Sequence, residues 1–94
     1  MKGEFTGTGN GPEVILSGSK AKSWSTFGPF VGTAVLQVQP DTDLNRTIAE
    51  DEWVDVKTVT EPQTEVLIDE TTRRWRFKCP ALTSGPLGWA LNES

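Results

Sequence analysis

The sequence predicts an all-β domain: a small antiparallel β-sandwich or barrel, jelly-roll or immunoglobulin-like, with about six or seven strands. Three observations lead there. Several segments alternate apolar and polar residues with period 2, most clearly Phe30–Gln39. Gly, Pro, Asn and Asp punctuate the chain at intervals of roughly ten residues. No segment carries the 3.6-residue apolar repeat of an amphipathic helix.

The totals narrow the function classes. A chain of 94 residues makes one small domain. Such a domain buries only roughly 60–65% of the surface its unfolded form exposes, so self-association would help it. The hydrophobic fraction is 35%, but four Trp and four Phe concentrate apolar area in few positions. A net charge of −4 and a pI near 4.7 speak against nucleic acid as a partner, because backbone binding needs clustered Lys and Arg. No apolar run is long enough to span a membrane, and Met1–Phe5 lacks the apolar core of a signal peptide, so synthesis and folding are expected in a cytoplasm. Cys79 is the single cysteine and there is no His. An internal disulfide is thereby excluded, and the commonest general base and metal ligand is missing. No catalytic residue and no cofactor is expected.

Taken in order, residues 1–12 read as a flexible Gly-rich N-terminal arm, from Gly3, Gly7, Gly9, Gly11 and Pro12. Residues 13–94 read as a single β-sandwich domain. Glu13–Ser17 is a short apolar strand closed by Gly18, and Ser19–Phe27 a polar stretch around Trp24 and Phe27. Residues 30–39 form the best strand, with Ala34, Leu36 and Val38 on one side and Thr33, Gln37 and Gln39 on the other, ended by Pro40. An acidic excursion follows at 41–52, long for a compact domain, with room for a single helical turn. Trp53–Thr60 carries apolar groups on both faces, which suggests a central strand. Thr64–Asp69 and Arg73–Cys79 then suggest a hairpin with Val66 and Ile68 against Trp75 and Phe77, and Glu65 and Asp69 against Arg74, Arg76 and Lys78. Its register stays open between a four-residue and a two-residue loop. Leu87–Leu91 gives the last strand, with Leu87, Trp89 and Leu91 facing together.

Four constellations carry possible chemistry. Asp41, Asp43, Asn45, Thr47, Ala49 and Glu52 fall on the ligand positions of a calcium-binding loop, but Arg46 stands where that loop needs Gly and no helices flank it. A solvated acidic loop is the plainer reading. Arg74, Arg76 and Lys78 make a cationic strand face, either a solvent face balanced by Glu65 and Asp69 or a contact for an acidic partner. Trp24 and Trp53, near loops, are the tryptophans expected at the surface, where they could stack on sugar rings; Trp75 reads as core. Cys79, beside Phe77 in the inward set, reads as a small buried hydrophobe.

The order of short motifs is familiar. Phe-Gly-Pro-Phe-Val-Gly-Thr-Ala-Val-Leu-Gln at 27–37 is followed by Glu-Trp-Val-Asp-Val at 52–56. Glu65, Arg74-Trp75-Arg76-Phe77-Lys78-Cys79 and Thr83-Ser84-Gly85 come next. This succession resembles small tailed-bacteriophage virion proteins, over about residues 16–91. Those proteins often have a tight Asp-Gly-Gly-type turn before the Trp, where this chain has its acidic excursion. The resemblance implies a non-enzymatic capsid decoration or cement protein. Its expected partners are the major capsid protein or another virion protein, and copies of itself as a dimer or trimer. It would be made in the host cytoplasm and end in the virion. The arm and the excursion are then the expected contacts, through Phe5, Asn10, Pro12, Trp24, Leu44, Arg46 and Trp53. The alternatives are a carbohydrate- or receptor-binding module and a neck or tail accessory protein.

Overall fold

Inward and outward side chains alternate along the strands, with breaks at bulges, and the strands sort into two antiparallel sheets. In the computed structural model, which describes residues 1–93, the strands are β1 (Lys2–Phe5), β2 (Gly9–Asn10), β3 (Val14–Leu16), β4 (Lys22–Phe27), β5 (Val31–Val38), β6 (Val54–Val59), β7 (Gln63–Leu67), β8 (Arg73–Ser84) and β9 (Leu87–Glu93). The first sheet is ordered β1-β9-β4-β7. The second is ordered β2-β8-β5-β6, with β3 taking a further stretch of β8. The all-β, two-sheet antiparallel fold is the predicted one, with more strands than the alternation alone suggests.

The core lies between the sheets. Leu16, Ala34, Leu36, Val59, Phe77, Cys79, Leu87 and Leu91 are all fully buried there. Phe77 sits at its centre, edge-on to Trp24 with centroids 6.1 Å apart and tilted against Trp89 at 5.8 Å. Each such aromatic pair adds roughly 0.5–1.5 kcal/mol beyond its buried area. The inward sets Ala34–Leu36–Val38 and Trp75–Phe77–Cys79 are those the period-2 pattern assigns. At one end Lys22 is buried, and its Nζ donates to the carbonyl oxygens of Ser17 and Asp69, tying two connections together.

Four expectations are corrected. The Gly-rich segment 1–12 is not an arm outside the sheets. β1 pairs residue for residue with β9, from Lys2 opposite Ala90 to Phe5 opposite Leu87, and β2 pairs with Cys79 and Lys78. Phe5 enters the core, and Gly3 permits this approach, since a Cβ there would stand 2.9 Å from the Trp89 ring. The expected hairpin does not form: β7 pairs with β4 in the first sheet, while β8 belongs to the second. Leu67 is the buried residue of β7, and Val66 and Ile68 are 76% and 91% exposed. β6 is an edge strand, not a central one, with Val54 and Val56 half exposed. Trp24 and Trp53 are buried, at 3% and 8% exposure, so neither is a surface aromatic.

Candidate functional site

The distinguishing feature of the outer surface is the excursion between β5 and β6, which folds down as a cap on the outer face of the second sheet. Ile48 and Trp53 are buried beneath it, and so are Val35, Gln37 and Gln39 on the sheet face that would otherwise meet water. β5 is thus covered on both sides. Two Asx turns shape the first half of the cap: Asp41 Oδ1 accepts from Asp43 N at 3.1 Å, and Asp43 Oδ1 accepts from Asn45 N at 2.9 Å. A 3-10 turn, Glu50–Glu52, shapes the second, closed by Glu52 N donating to Ala49 O and Ala49 N donating to Glu52 Oε1, both at 3.0 Å.

Polar pairs fasten the cap to the sheet. Gln39, fully buried, donates through Nε2 to Asp41 Oδ1 and to Asp43 O, and accepts from Arg74 N at 2.7 Å. The Arg74 guanidinium donates to Arg46 O at 2.9 Å and Leu44 O at 2.7 Å. Arg76 is 5% exposed, its guanidinium carbon 4.4 Å from the Trp53 ring centroid. Its Nε donates to Gln37 Oε1 at 2.8 Å and its Nη2 to Glu50 Oε1 at 3.0 Å. Gln37 Nε2 donates in turn to Asp55 Oδ1 at 2.8 Å. Glu50 also faces Lys78 at 3.7 Å and accepts from Asn10 Nδ2 at 3.2 Å.

The calcium-loop template fails on geometry. Asp41 and Glu52 both turn toward Arg46, whose Nε and Nη2 lie 2.9 Å from Asp41 Oδ2 and whose Nη1 lies 3.0 Å from Glu52 Oε2. The guanidinium occupies the place between carboxylates that a cation would need. Among the described residues no group of three or more His, Cys, Asp or Glu is arranged to hold a metal ion. The hydrogen bond from Arg46 holds the Asp41 carboxyl below its ordinary pKa, Arg76 does the same for Glu50, and the Ala49 amide for Glu52. Burial pushes the Cys79 thiol up, which makes it a poor nucleophile.

The expected contact residues divide. Leu44, Arg46 and Asn10 gather around the cap, Arg46 in its ion pairs and Asn10 through a hydrogen bond to Glu50, while Pro12 lies exposed, as do the calcium-loop candidates Asp43 and Asn45. Phe5, Trp24 and Trp53 are interior. Missed from the sequence were Gln37, Gln39 and Glu50, the residues that fasten the cap. Two glutamines on the face of a strand opposite its apolar set, followed by a long acidic loop and a later Arg-x-Arg, were the available signal.

A second feature lies where the two sheets part at the edges β6 and β7. A cleft of about 210 Å³ opens there over Trp24, Leu36 and Trp75, with Val56, Val66 and Ile68 on its rim. Lys57 and Glu65 face each other across it at 3.6 Å. Trp75 Nε1 is buried without a hydrogen-bond partner. Beside it, on the outer face of the first sheet, a shallow hollow of about 310 Å³ is lined by Ala21, Ser23, Val66 and Asn92. No family model, curated protein or solved structure matches the chain.

Proposed function

We propose that the protein is a non-enzymatic structural component of a bacteriophage particle, a capsid decoration or cement subunit that binds the major capsid protein and neighbouring copies. One observation carries this reading. Gln37, Trp53 and Arg76 belong to three separate motifs of the resemblance, and they meet in one network: Arg76 over the Trp53 ring and donating to Gln37. Separate motifs that meet in one packing unit are expected to occur together, which supports the resemblance; the cap they fasten stands where those proteins often have a tight turn. The resulting surface is of ion pairs and strand edges, suited to repeated docking. The four tryptophans are all buried, so a sugar-stacking reading based on Trp24 and Trp53 loses its platform.

The experiment is removal of the chain from the phage that encodes it. Particles lacking it are expected to assemble but to release their DNA at a lower temperature, with resistance restored by adding the purified protein. Particles equally heat-resistant with and without it, and unable to take up added protein, would rule the cement role out.

A further inference from the structure

We infer that the free edge of β7 is a pairing surface for β7 of a second copy, centred on Val66. The inference uses geometry alone and does not depend on the virion reading. Unpaired edges invite strand addition unless they are blunted by charge, bulge or shortness. β2 and β3 have two and three residues. β1 carries Lys2 and Glu4 on its exposed face. β6 is broken by a bulge at Val56, where the register against β5 shifts between Leu36 and Gln37. β7 is the least protected of these edges. Its five residues pair with β4 in unbroken register, from Thr26 opposite Gln63 to Lys22 opposite Leu67. Its single charge, Glu65, is turned to Lys57. Val66 and the following Ile68 are the two most exposed large apolar side chains among the described residues.

The occupant follows from charge and register. Copies with a net charge of −4 repel, so they meet best where no uncompensated carboxylate is presented. Antiparallel pairing of β7 about a two-fold axis keeps faces matched only in alternate registers. Centring on Glu65 sets two carboxylates face to face, and centring on Leu67 sets Glu65 against Asp69. Centring on Val66 sets Val66 against its own mate, Thr64 against Ile68, and Glu65 against Leu67, with no like charges opposed. The two first sheets then become one continuous sheet. An edge of five residues falls short of the roughly 1,200 Å² of a stable interface, so the pair is weak and concentration-dependent in isolation. Repetition in an assembly adds to it by raising the effective concentration.

The test is light scattering of the purified protein across a concentration series, with Val66→Lys and Val66→Glu variants. Val66 is exposed, so both variants are expected to keep the wild-type melting temperature. The wild type should move from 10.3 kDa toward twice that mass as concentration rises. Each variant alone should stay monomeric, because like charges meet on the two-fold axis, and an equimolar mixture should recover the dimer. A Val66→Cys variant should cross-link to its own mate on oxidation, since directly opposed strand residues lie within disulfide reach. A wild type that stays at 10.3 kDa throughout, a dimer that survives Val66→Lys, or a mixture that does not recover pairing overturns the proposal.

Discussion

Arg76 shows how a single position ties the sheet to its cap. Its guanidinium is buried, stacked on Trp53, and forked between Gln37 and Glu50. Arg76→Ala removes all three contacts and leaves Gln37 Oε1 unpaired in the interior, so a loss of about 2–3 kcal/mol is expected in urea unfolding. Arg76→Lys keeps the charge but not the planar fork, and should lose more than half as much. Acid should loosen the same region. Asp41, Glu50 and Glu52 all titrate below their ordinary values in the folded state. Each therefore contributes stability above its unfolded pKa and loses it as pH falls through the lower folded one. The melting temperature should stay level down to about pH 4.5 on this account, and fall below it. Glu50→Gln should remove part of that acid decline. None of this was legible from the residues singly. An Arg between two other cations reads as a solvent face, and only the fold shows which carboxylate comes back to it.

At the scale of elements, legibility followed the distance over which the deciding contact acts. β5 could be read because Ala34, Leu36 and Val38 recur with period 2 in one strand, opposite a face that carries Thr33 and Gln37. The faces of β8 were legible for the same reason. β7 was misassigned because Val66-Leu67-Ile68 is a continuous apolar run, and period 2 cannot say which residue of such a run turns inward. Its true partner, β4, lies some forty residues earlier, beyond the reach of turn chemistry. β1 was misread because the glycine that admits the Trp89 ring looks locally like flexibility. Two predictions belong here. Phe5→Ala should cost about 3–5 kcal/mol, as for a core aromatic, and deletion of residues 2–12 at least as much, enough to leave a domain of this size largely unfolded by circular dichroism. Millimolar calcium should change neither the melting temperature nor the Trp emission, since Arg46 already holds Asp41 and Glu52.

Across the whole molecule, Asp41, Arg46, Glu50, Glu52 and Arg76 around the cap are paired with one another, and the two most exposed large apolar side chains, Val66 and Ile68, lie with Val54 and Val56 along the β6–β7 side. That division suits the proposed role of a subunit held in place by its neighbours. A cement subunit must repeat with the lattice of the shell it covers, so its abundance is a direct reading of its role. Quantitative mass spectrometry of purified particles gives that number. The account predicts on the order of hundreds of copies per particle, in fixed ratio to the major capsid protein. Absence from the particle contradicts it outright, and a dozen or so copies would contradict head decoration, since rings at the neck or tail repeat only a few-fold.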